Sequence, residues 1–154
     1  MSLIRDDTAF KQAIDAMPLA QQRVLGARFV DDVFELTDDF RLKRALKCAE
    51  SGTASDAELL EAYRDAKGVE VETYTACGHM VDWRTMATHY VASAIAACVA
   101  PLSTIVPGID SPAYDAAMAS RMAKNCERLA NGDHGECHEM ERQYEIMSKY
   151  LHST

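Results

Sequence analysis

Proline and glycine are scarce, at four and seven residues of 154, against eight methionines and abundant alanine. That balance favours helices over strands. No apolar run reaches the roughly 18 residues of a membrane-spanning helix. Met1 to Phe10 carries acids where a secretory leader needs an apolar stretch, so a cytosolic location is expected. Positive charge is also short: 16 Lys and Arg stand against 24 Asp and Glu, a formal net charge of −8. A field of that sign repels nucleic acid and anionic membrane surfaces and attracts basic proteins or cationic ligands. The five cysteines are odd in number and scattered, with no secreted disulfide framework, and Cys48, Cys77 and Cys98 lie among alanines as small core residues would. Missing too are G-x-S-x-G, H-E-x-x-H, a phosphate loop and a dinucleotide fingerprint. No pair of groups has the spacing that acid–base or covalent catalysis requires, so no enzyme is expected.

What the chain has in quantity is helical periodicity. A first helix is expected from about Asp7 to Ala16, closed by Pro18, which suits the first position of the next helix. From Leu19 to Leu36, Leu25, Phe29, Val33 and Leu36 recur at helical spacing. Thr37 is the candidate N-cap of a third helix, which turns Leu42, Ala45, Leu46 and Ala49 inward and stops at Gly52. Ser55-Asp56-Ala57-Glu58 has the form of a capping box and opens a fourth. The brief Val69-x-Val71-x-Thr73 alternation is read as helix or kink. Thr75 to Val99 is apolar around much of its circumference, with Trp83, Ala87, Tyr90 and Ala94 on one stripe, as a central bundle helix would be. Ala100 to Pro112 holds three prolines and reads as a loop suited to binding. Helices from Ala113 to Ala130 and from about Glu136 to Leu151 follow. The expected fold is all-α, a single domain over residues 1–154 with six to seven helices around a central alanine-rich one. Its core is expected to hold Phe29, Leu46, Leu59, Tyr63, Trp83, Tyr90, Tyr144 and Met147.

Three constellations could carry chemistry. Cys126, His134, Cys137 and His138 are soft metal ligands, but their spacing matches no common zinc pattern, and neighbours on a helix diverge by about 100°. His79 and His89, on one continuous helix, would stand about 15 Å apart, too far to share an ion. No metal or cofactor is therefore expected. A pocket between helices, lined by Cys77, His79, Trp83, His89 and Tyr90, would make the protein a small-molecule or metal-binding regulator. The third constellation is acidic. Asp31, Glu35 and Asp38 fall at i, i+4 and i+7, flanked by Asp32 and Asp39, opposite the Leu25–Phe29–Val33 stripe. Such a row is either a solvated helix face or a docking surface for a basic protein.

Several stretches carry a family resemblance: Gln22-Arg23-Val24-Leu25-Gly26-Ala27-Arg28-Phe29-Val30-Asp31-Asp32-Val33-Phe34-Glu35, Arg44-Ala45-Leu46-Lys47-Cys48-Ala49-Glu50-Ser51-Gly52, Ala76-Cys77-Gly78-His79-Met80-Val81, and Thr88-His89-x-x-Ala92-Ser93-Ala94. Together they resemble an immunity protein family of bacterial polymorphic-toxin systems, whose members show an alanine-rich Gly-His helix. The pattern departs from the family at Val69 to Thr73, where β-branched residues stand, and at Asp82-Trp83-Arg84. The resemblance implies an all-α, non-enzymatic inhibitor that binds and neutralises a cognate toxin. The net acidity fits a basic toxin domain, such as a nuclease, as partner. A homo-oligomer is compatible with the same reading.

Overall fold

In a computed structural model, residues 4–77, 82–132 and 138–153 are described, Cys77 by its backbone alone. Among them are seven α-helices and no strand: α1 (Asp7–Asp15), α2 (Leu19–Asp31), α3 (Phe40–Ser51), α4 (Asp56–Cys77), α5 (Trp83–Val99), α6 (Pro112–Ala130) and α7 (Glu139–Ser153), with 3-10 turns at Phe34–Leu36 and Leu102–Thr104. The all-α bundle with a central alanine-rich helix is what the periodicity indicated. No helix among the described residues is long and apolar enough to cross a membrane.

Local chemistry sets most of the helix ends. Asp6 caps α1 by accepting from the Ala9 amide at 2.8 Å. Gly52 ends α3 at φ +69, a left-handed conformation that an L side chain would strain. The capping box at Ser55 is reciprocal: the Glu58 amide donates to Ser55 Oγ at 3.2 Å, and the Ser55 amide donates to Glu58 Oε1 at 3.1 Å. α4 then runs unbroken through Gly68, Val69 and Val71.

Five boundaries differ from the sequence expectation. Pro18 is the N-cap residue of α2 and not its first helical residue. α2 ends at Asp31, and the chain tightens into the Phe34–Leu36 turn before α3 begins. Thr37 does not cap α3; its hydroxyl accepts from the Asp39 amide at 3.3 Å, and Asp39 is the cap, accepting from the Arg41 amide at 2.9 Å. The expected Thr75–Val99 helix is divided between the end of α4 and α5, which starts afresh with Asp82 as its cap. The last helix begins at Glu139, three residues later than expected.

Two apolar clusters meet along α2. One joins α2 to α3, α4, α5 and α6 through Ala27, Val30, Leu42, Leu46, Ala66, Val69, Val91, Ile95 and Ala116. The other packs Phe10 and Ile14 of α1 against Leu25, Phe29, Ala117, Tyr144 and Met147. α5 is buried along Ala87, Val91, Ala92, Ala94, Ile95, Ala96, Cys98 and Val99. Its small side chains let α2 and α6 approach closely. A Cβ on Gly26 would stand 2.8 Å from Cys98 Sγ and 3.3 Å from the Ala116 Cβ.

Of the expected core, Phe29, Leu46, Tyr144 and Met147 are buried, and Leu59, Tyr63 and Tyr90 are half-buried. Trp83 is 39% exposed, a correction that follows from its place as the first residue of α5 and not the middle of a longer helix.

Buried polar groups tie the helices together. Gln143 donates to the Ala117 carbonyl at 2.9 Å and accepts from Arg121 at 2.7 Å. Arg121 forks onto Asp7 at 2.9 and 3.0 Å, and Tyr144 donates to the same carboxylate at 2.7 Å. The guanidinium also lies over the rings of Phe10 and Tyr144, so α1, α6 and α7 converge on it. Arg23 on α2 donates to the Cys98 carbonyl at 2.8 Å and satisfies one of the free carbonyls that end α5.

Candidate functional site

The five carboxylates singled out by spacing do not form one helical face, because α2 stops at Asp31. The turn that follows distributes them. Asp31 is exposed and lines a groove with Arg28 and Glu50; burial, followed by the Asp31 carboxylate, raises the Glu50 pKa. Asp32 is held by Arg142 of α7 through two hydrogen bonds, one from Nε at 2.8 Å, which hold its carboxyl below the usual range. Asp39 is engaged twice, as the cap of α3 and in an ion pair with Arg41 at 3.0 Å. That leaves Glu35 and Asp38 together, both exposed, on an open groove of 510 Å³ shared with Thr37, Thr73, Arg84, Thr85 and Thr88. Lys124 approaches Glu35 to 3.7 Å from α6.

This groove sits at the end of the bundle where α3 and α5 begin and α4 finishes. Arg41 fixes the junction by forking onto Glu72 of α4 at 2.8 and 2.9 Å. The same end carries Phe40 at 70% exposure, Val71 at 65%, Tyr74 at 71% and Trp83 at 39%. The Arg44 guanidinium lies over the Phe40 ring, and Tyr74 packs beside His89 with centroids 6.0 Å apart. Exposed aromatics and arginine beside carboxylates are the side chains that dominate protein–protein hot spots. Periodicity missed this grouping because it placed Trp83 on a buried stripe. The signal available was Asp82-Trp83-Arg84-Thr85, in which Asp82 accepts from the Arg84 amide and the Thr85 hydroxyl, as a helix start does.

The residues proposed to line a pocket between helices fare unevenly. His79 and the side chain of Cys77 lie outside the described residues. His89 is half-buried between α4 and α5, its Nδ1 2.9 Å from the Glu70 carbonyl, which requires that nitrogen to donate. Tyr90 stands edge-on to it, with centroids 5.3 Å apart, and Trp83 faces solvent. His89 thus serves as a strut between two helices. Of the soft metal ligands near the α6–α7 turn, His134 and Cys137 lie outside the described residues. Cys126 is buried, and His138 is exposed beside Glu141. No group of three or more His, Cys, Asp or Glu among the described residues is placed to hold a metal ion.

One acidic pair is chemically unusual. Glu139 is only 2% exposed, and burial, followed by the neighbouring Asp32 carboxylate, raises its pKa well above the usual range. Arg142 and Lys124 oppose that shift. Desolvation beside a second carboxylate is enough to produce this effect, and it ties the α2–α7 contact to proton binding. No protein-family model, curated protein or solved structure matches the chain.

Proposed function

We propose that this protein is a non-enzymatic inhibitor of the immunity type, one that neutralises a basic toxin domain by occupying it. The interface is the end of the bundle that carries Glu35 and Asp38 with Phe40, Tyr74 and Trp83. The observation behind this reading is the coincidence of exposed carboxylates and exposed aromatics at one junction of three helices. The aromatics supply desolvated contact area, and the carboxylates speed the approach of a basic partner. The other exposed apolar group, Leu102, Val106 and Ile109 in the 100–112 connection, fits a basic partner less well. Its nearby Asp110 carboxylate is already engaged by the Val106 amide at 2.8 Å.

Co-expression tests the reading. The probe is the basic C-terminal domain of a large secreted protein encoded beside this chain, produced with and without it. Protection from toxicity and a stable complex are the expected results. Glu35→Lys with Asp38→Lys should slow association about tenfold at low salt and lessen its salt dependence. Trp83→Ala should chiefly speed dissociation. If no such domain is encoded there, or if it remains toxic in the presence of this chain, the reading fails.

A further inference from the structure

A cavity of 190 Å³ opens at the other end of α4, about 30 Å along that helix from the aromatic junction. Leu19 of α2, Leu59 of α4 and Leu102 give it apolar walls, and Cys48 of α3 adds a thiol whose pKa burial raises. The cationic wall is Arg23. This side chain is drawn into the protein, its residue only 8% exposed, yet among the described residues no carboxylate lies within ion-pair distance of it. Among the described residues its one side-chain hydrogen bond goes to the Cys98 carbonyl at 2.8 Å, which uses one of the five donors a guanidinium offers. A desolvated cation that lines a cavity and retains unused donors is poised for an anion.

The rest of the cavity decides which anion. An apolar cavity of about 150 Å³ holds benzene, so 190 Å³ takes a ring or short chain with a small head group. A phosphate dianion is disfavoured, because the leucine walls offer it no donors and the exposed Asp56 on the lining repels a second charge. We propose that this cavity binds a small monocarboxylate with an apolar body of about six carbons. The carboxylate sits on the Arg23 guanidinium, and the body lies against Leu19, Leu59 and Leu102. The signal in the sequence is a cation on a helical stripe: Arg23 lies four residues after Leu19 and seven before Val30, where an apolar residue would be expected.

The test is titration of the full chain with hexanoate, hexanamide and hexanol, followed by amide chemical shifts and calorimetry. Hexanoate should bind saturably and shift residues around Leu19, Cys48 and Leu59, with hexanamide and hexanol about tenfold or more weaker. Arg23→Gln should lose the preference for the carboxylate, and Asp56→Asn should strengthen binding by removing a like charge. Ala20 lines the cavity but is otherwise exposed, so Ala20→Leu should fill the space and weaken hexanoate binding without lowering the urea midpoint. That variant leaves Arg23 intact and keeps the test decisive if Arg23→Gln fails to fold. Equal affinity for hexanoate and hexanamide, shifts confined to other parts of the surface, or an Ala20→Leu variant that binds hexanoate as tightly as the unaltered chain would each overturn the proposal.

Discussion

Replacing Gly26 by alanine probes the packing on which the bundle depends, and Gly68 provides an internal control. Both glycines lie inside helices, so alanine gains about 1 kcal/mol of helix propensity at either position. At Gly68 nothing lies within 4 Å of the added Cβ, and the gain should appear as a stabilisation of about 0.5–1 kcal/mol. At Gly26 the methyl would meet Cys98 Sγ at 2.8 Å, the Ala116 Cβ at 3.3 Å and the Ala113 Cα at 3.4 Å. Cys98 is fully buried, and the α6 contacts belong to the buried Ala113 and Ala116, so relief requires one helix to shift or the thiol to turn within the core. Overpacking of this kind costs about 1–3 kcal/mol, which cancels or exceeds the propensity gain. The two substitutions should therefore differ by about 1–3 kcal/mol in urea unfolding followed by circular dichroism. Cys98→Ala should relieve part of the Gly26→Ala penalty in a double-mutant cycle, because it removes the nearest atom. Equal stabilisation at both glycines would refute the close approach of α2, α5 and α6.

Trp83→Ala should change stability by less than about 1 kcal/mol, since its ring is substantially exposed; a loss of about 3 kcal/mol or more in urea unfolding would return it to the core. The Glu139 carboxyl, lifted to about 8 from an ordinary 4.5, holds a proton in the folded state that the unfolded chain has released. Its contribution is complete below about pH 4.5 and is lost as pH rises toward 8, with a slope of up to about 1.4 kcal/mol per pH unit for one proton. Glu139→Gln should flatten that loss in urea midpoints taken between about pH 5 and pH 8. The Asp7 carboxyl is lowered by Arg121 and Tyr144, so its contribution is present above the unfolded value and fades as acid is added. Tyr144→Phe removes one of those bonds and should cost about 1–2 kcal/mol at neutral pH, with a smaller loss as pH falls below 3.8, where the unfolded Asp7 takes up its proton.

Where a stop or start signal is carried by one residue's own chemistry, the sequence reading agrees with the fold. Gly52, the Ser55–Glu58 box and the Asn131-Gly132 end are of this kind, since each fixes backbone groups within a few residues. Periodicity was less informative where an apolar residue can pack in either of two backbone forms. Val33 is buried and Phe34 and Leu36 pack against the core from a 3-10 turn, so their spacing could not reveal that α2 had already ended. The acidic row inherited that error: a helix extended past Asp31 aligns Asp31, Glu35 and Asp38, whereas the turn sends Asp31 to one groove and the other two to another. Engagement of Asp32 by Arg142 is a contact across 110 residues, which local spacing does not encode. Arg23 was legible in principle as a charge on an apolar stripe, but its partner, the end of α5, lies 75 residues away.

Hydrogen exchange on the complex with the neighbouring basic domain is the most direct test of the docking surface. New protection is expected at residues 34–41, 71–77 and 82–86, where the exposed carboxylates and aromatics lie, with 100–110 exchanging as in the free protein. Protection confined to 100–110, or none at the junction of α3, α4 and α5, would contradict that surface.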